Sequence, residues 1–138
     1  MKPSTEQRLT QFFAVENEVA AVWLFGSQAQ GRARPDSDID LGVLYADERA
    51  PQDVIRWHRD LYSRLAALGI GEVDLTLLDH ADPVLRRQVF EHGRPLLVRD
   101  RARAIEFRVR SWAEYLDLAP YRDRVLAAKQ AAARTKSG

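Results

Sequence analysis

Asp38 and Asp40 stand one residue apart in SDIDLGVL, where the chain turns from polar to apolar. Residues two apart on a strand project from the same face. The two carboxylates would therefore crowd together. At about 4 Å, such a pair repels by about 4 kcal/mol at an effective dielectric near 20. A divalent cation supplies the counter-charge, and carboxylate oxygens suit magnesium. For an isolated D-x-D, solvent exposure or pairing with arginines is the plainer reading. This pair is not isolated, because Asp74 lies in EVDLTLL, the next strand-like run. If the two strands neighbour one another, three carboxylates converge, a usual way to hold two magnesium ions for phosphoryl chemistry. Glu72 and Asp36 are weaker candidates, since Asp36 precedes the strand and suits a turn.

Gly26-Ser27 follows the apolar run AAVWLF (residues 20–25). Glycine there lets a phosphate approach the backbone. If a helical turn follows, its free N–H groups suit phosphate oxygens, and serine either caps the turn or donates to a phosphate. A serine cap alone is common. A phosphate cradle beside a carboxylate pair is a far more specific combination.

The surrounding elements must position these groups. Residues 20–25 read as a buried strand, 27–32 as a short helical turn, 39–45 (IDLGVLY) as a second strand and 72–78 as a third. Ser4 or Thr5 caps a first helix whose apolar face holds Leu9, Phe12 and Phe13. Val54, Trp57, Leu61, Leu65 and Leu68 recur at helical steps after Pro51, and Gly69 and Gly71 end that helix. Asp82-Pro83 opens another helix with Leu85, Val89 and Phe90 inward, stopped by Gly93, and residues 95–98 suit a short edge strand. A long helix over 101–118 carries a stripe at Ile105, Val109, Trp112 and Leu116, expected to pack in the core, with partner docking as the alternative. Pro120 breaks or kinks it, and the helix resumes to about residue 133. The fold class is therefore α/β or α+β, with few strands flanked by helices, in one domain over 1–138. Its catalytic core spans about 18–80 and its C-terminal helices about 81–133.

The chain of 138 residues has no cysteine, which excludes disulfides and thiolate metal sites. Its 21 basic and 20 acidic residues argue against a dedicated nucleic-acid binder. Arg86, Arg87, Arg99, Arg101 and Arg103 are expected to be solvated surface charge, and Trp23, Trp57 and Trp112 core aromatics. His58, His80 and His92 share no spacing and are assigned to no metal. No stretch approaches the ~20 apolar residues of a membrane span. The first residues lack a signal-peptide core, so a cytoplasmic protein is expected.

Gly26-Ser27, ten residues (28–37), then Asp38-x-Asp40 resembles the signature of the DNA polymerase β-like nucleotidyltransferase superfamily. The fuller stretch GSQAQGRARPDSDIDLGVL is similar to the minimal nucleotidyltransferases, or MNT proteins, with Ala29, Gly31, Ser37 and Leu41 also matching and Asp74 in the third-aspartate position. Gln30 stands where family members often carry arginine. The resemblance implies a nucleotidyltransferase fold with a small mixed sheet of three to five strands and a C-terminal helical extension. It implies two magnesium ions on Asp38, Asp40 and Asp74, these three as catalytic residues, and Gly26 and Ser27 on the nucleotide phosphates of ATP. It further implies AMP transfer to a hydroxyl. The acceptor would be a tyrosine of a HEPN-domain toxin encoded beside the chain, which would act as a type VII-like antitoxin. At 138 residues no further domain to grip RNA or an antibiotic is expected, which favours a protein acceptor. The alternatives are stoichiometric neutralisation of a toxin without chemistry, and transfer to a small-molecule hydroxyl.

Overall fold

The computed structural model describes residues 3–26, 38–46 and 51–137. The helical turn expected over 27–32 lies outside them. The described elements run in the order α1 (Pro3–Ala14), β1 (Val19–Phe25), β2 (Ile39–Tyr45), α2 (Pro51–Ala66), β3 (Val73–Leu77), a 3-10 turn (Leu78–His80), α3 (Pro83–His92), β4 (Arg94–Val98), α4 (Arg101–Asp117) and α5 (Ala119–Ser137). The strands form one mixed sheet in the order β3-β2-β1-β4. β1 is antiparallel to both β2 and β4, while β2 and β3 run parallel. The two central strands are buried along nearly their whole length, as their continuous apolar runs require.

The sheet carries helices on both faces. On one, Leu9 and Phe13 of α1 and Val54, Leu61 and Leu65 of α2 pack with Val22, Leu24, Leu41 and Val43. On the other, Val89 of α3 and Ala104 and Phe107 of α4 pack on Ala21, Trp23 and Leu44. Asp82 caps α3 by accepting from the Leu85 N–H at 3.0 Å, and Asp100 caps α4 by accepting from Arg103 N–H at 3.0 Å. Pro120 sits in the first turn of α5, where proline is tolerated, directly after α4 ends. No helix among the described residues is long and apolar enough to cross a membrane.

Two sequence expectations are corrected. The large apolar residues of α4 do not face the core: Ile105, Val109, Trp112 and Leu116 are each at least half exposed, while Ala104, Phe107 and Ser111 are buried. Small residues on either side of Phe107 let α4 lie close on the sheet, which turns the bulkier stripe outward. Trp112 therefore leaves the core list, where Trp23 stays.

Nor are the arginines all solvated. Arg86 is buried and donates to the Leu78 carbonyl at 3.1 Å, the Asp79 carbonyl at 3.2 Å and Glu114 at 2.7 Å. Arg103 pairs with Asp79 at 2.9 Å and donates to the Tyr45 carbonyl at 3.2 Å. Arg99 donates to the Phe13 and Ala14 carbonyls at the end of α1. These guanidiniums add donors to backbone oxygens at the ends of β2, β3 and α1. Arg86→Leu is expected to cost about 1–3 kcal/mol by removing the side-chain donor to the Asp79 carbonyl and the Glu114 ion pair. Urea denaturation measures it, and an unchanged midpoint would contradict this role.

Candidate active site

The parallel register of β2 and β3 sets Asp40 opposite Asp74, and the antiparallel register of β1 and β2 sets Asp40 opposite Phe25. The carboxylates thus gather where β1 ends and β2 and β3 begin. Alternation along β2 places Asp40 on the side of Leu44, the face covered by α3 and α4. Asp38, two residues earlier, precedes the strand and is exposed, Asp74 is exposed and Asp40 is half-buried.

The Asp40 carboxyl is held above the usual carboxylate range. Burial is the leading cause, followed by the negative charges of Asp74 and Asp38. A cation bound beside these carboxylates would offset their mutual repulsion. The donor set is all oxygen, as magnesium prefers. Among the described residues, no three acidic or histidine side chains close into a ready-made cage. Magnesium commonly uses one or two carboxylates and completes its shell with water and substrate phosphates, so an open acidic cluster fits it.

Gly26 packs against this cluster. Its φ of +71° lies in the left-handed region, which glycine enters without a Cβ penalty. A Cβ at this position would stand 2.4 Å from Asp40 Oδ2. The glycine is therefore required by the turn and by the carboxylate it touches. Ser27, the other residue expected to bind phosphate, lies outside the described residues, as does Gln30.

Gly93 was not singled out as a site residue in the sequence, where it reads only as a helix stop. A Cβ there would fall 2.4 Å from the Val89 carbonyl oxygen and 2.8 Å from that of Leu24. Its lack of a side chain lets the end of α3 lie against the last residues of β1, next to Gly26. No motif signals this, because the contact joins segments distant in sequence. His58 serves the opposite side of the sheet, with its Nε2 2.7 Å from the Leu75 carbonyl oxygen, and stands apart from the aspartates. Burial raises the Tyr45 phenol well above its ordinary range, with Glu16 and Asp79 adding to it.

A glycine turn thus packs on a strand carboxylate, with a second strand's aspartate in register. A family model described as Polymerase beta, Nucleotidyltransferase matches residues 7–102, which include all three aspartates and all four strands. The chain belongs to this nucleotidyltransferase family. Over 75 residues it is 40% identical to the protein adenylyltransferase MntA of Shewanella oneidensis, a match covering 54% of this chain and 51% of that protein. The match thus spans about half the length of the curated relative. Among solved structures, a chain of a toxin–antitoxin crystallised with AMP-PNP is similar with a TM-score of 0.73 and 29% identity, over 91% of this chain and 98% of that one. A chain from the complex of tri-AMPylated Shewanella oneidensis HEPN toxin with MNT antitoxin has a TM-score of 0.70 and 26% identity, over 94% and 99% of the two chains.

Proposed function

We propose that this chain is a magnesium-dependent protein adenylyltransferase that moves AMP from ATP to a hydroxyl, a tyrosine, of a HEPN-domain toxin and so acts as an antitoxin in the cytoplasm. The observation that carries the reading is Asp40 in register with Asp74 and in contact with Gly26. The similarity to a protein adenylyltransferase and to an MNT antitoxin bound to an AMPylated HEPN toxin supports the acceptor.

Asp38, Asp40 and Asp74 would hold two magnesium ions, which when bound neutralise negative charge on the triphosphate. The Gly26 backbone and Ser27 would position the β- and γ-phosphates. Asp74 takes the proton of the acceptor hydroxyl. The freed oxygen attacks the α-phosphorus, its bond to the bridging oxygen breaks, and pyrophosphate leaves. Positioning supplies much of the acceleration, since the transferred group needs little covalent help.

The deciding measurement is the intact mass of a purified HEPN-domain toxin, after incubation with the chain, magnesium and each nucleoside triphosphate in turn. Addition of one or more AMP units, with ATP alone, is expected. An unchanged mass would refute transfer to that protein. If Asp40→Asn still protected cells fully from the toxin, neutralisation would be stoichiometric.

A further inference from the structure

Asp74 sits on an edge strand. β3 has a neighbour in the sheet on one side only. The Ile39 N–H donates to the Glu72 carbonyl at 2.9 Å, and backbone groups alternate sides along a strand. Glu72, Asp74 and Thr76 therefore turn their backbone groups to β2, while Val73, Leu75 and Leu77 turn theirs to the open edge. The approach to the strand is loosely held too. Gly71, three residues before Asp74, has φ +108° and, among the described residues, nothing beyond its chain neighbours within 4 Å of where a Cβ would stand.

A histidine closes the open edge next to Asp74. His58 of α2 stands with Nε2 2.7 Å from the Leu75 carbonyl oxygen. A carbonyl only accepts, so Nε2 donates. The Tyr45 hydroxyl lies 3.5 Å from Nδ1, and Tyr45 is buried at the end of β2. The imidazole is thus bracketed between the strands of Asp40 and Asp74. Val73 and Leu75 also share an apolar cluster with Leu61 and Leu65 of α2. Apolar contact is non-directional: it keeps β3 against the helix and leaves its position along the strand axis loosely set. A hydrogen bond to the carbonyl of the very next residue is directional, and it sets that position for Asp74.

We propose that His58 is a positioning residue for transfer: its hydrogen bond to the Leu75 carbonyl fixes Asp74 opposite Asp40, where Asp74 can take the proton of the acceptor hydroxyl. His58 touches no reacting atom and acts only through β3. This inference rests on the reading that Asp74 serves as the base.

The test compares His58→Leu, which removes the donor, with His58→Gln, whose amide keeps one. It uses the full chain, with a purified HEPN-domain toxin as acceptor. His58→Leu should lower kcat about ten- to a hundredfold with KM for ATP changed by less than about twofold, as when a group that orients an active side chain is lost. His58→Gln should recover most of that loss. In an Asp74→Asn background, His58→Leu should cost less than about twofold more, because residues that act through one another are non-additive. Hydrogen exchange reads the strand apart from activity: β3 amides should exchange at least about tenfold faster in His58→Leu, with β1 unmoved, and His58→Gln should restore them. Wild-type kcat in His58→Leu, an equal loss with and without Asp74, or a loss no larger than the unfolded fraction predicts would each overturn the inference and leave the transfer reading intact. A wild-type chain that adds no AMP is the separate outcome that refutes the transfer reading, and this role with it.

Discussion

Asp40→Asn is expected to lower kcat/KM by at least about a thousandfold while making the magnesium-free protein more stable. Losing one carboxylate of a cation site removes several kcal/mol of transition-state charge stabilisation, and about 4 kcal/mol is a factor of a thousand. The gain in stability follows from the same cluster. Asp40 stands in register with Asp74, and strands lie about 5 Å apart. With solvent access, the repulsion between two such carboxylates is about 1 kcal/mol. Removing it should raise Tm by roughly 3–5 °C in a domain of this size.

The pH dependence gives an independent check with a definite sign. Burial, then Asp74 and Asp38, hold the Asp40 carboxyl above its usual range. The folded chain therefore keeps this proton more tightly than the unfolded chain does. Its stabilising contribution is complete below the ordinary aspartate value of about 4 and is lost as pH rises through the raised folded value. Magnesium-free wild type should consequently lose Tm over that interval relative to Asp40→Asn, which has no such proton. Magnesium should restore wild type at neutral pH and leave the variant nearly unmoved. Thermal melts across pH with and without magnesium, run beside the transfer assay, decide it. Full turnover by Asp40→Asn, or melts of the two proteins that run parallel at every pH, would remove Asp40 from the site.

The parts of this molecule that are legible in the sequence are those whose cause is local. The apolar runs that make β1 and β2, the alternation that sets Asp40 on the face of Leu44, and the glycine that ends β1 all act within a few residues, whereas Asp38 falls just before the strand. Asp74 is legible only with the assumption that β3 lies beside β2, which the parallel register supplies. The outward turn of α4 is different. A stripe of Ile105, Val109, Trp112 and Leu116 reports hydrophobicity, and hydrophobicity does not say which face of a helix the rest of the fold covers. Ala104 and Ser111 admit close packing around Phe107, and that fit depends on residues of β1 and α3. The arginine partners are hidden for the same reason, since Arg103 reaches a carbonyl 58 residues away and Arg86 a carboxylate 28 away.

Gly26→Ala is expected to lower kcat/KM by about a hundredfold while costing only about 1–2 kcal/mol of stability. The stability term comes from forcing a Cβ into the left-handed region at φ +71°. The larger loss has a separate origin. The new Cβ would stand 2.4 Å from Asp40 Oδ2, which is far inside van der Waals contact, so the side chain must swing by about an ångström. A flexible carboxylate yields cheaply, which is why the fold survives, but a displacement of that size in a reacting constellation costs about a hundredfold in rate. Gly93→Ala provides the contrast. Its Cβ would meet two backbone carbonyls, at 2.4 and 2.8 Å, and neither can rotate away. That variant should lose stability first and activity only in proportion to the folded fraction. Melting curves and kcat/KM for both variants separate the two mechanisms. If Gly26→Ala kept wild-type kcat/KM, or lost it only as far as its unfolded fraction predicts, the contact between the turn and the carboxylate would have no part in the chemistry.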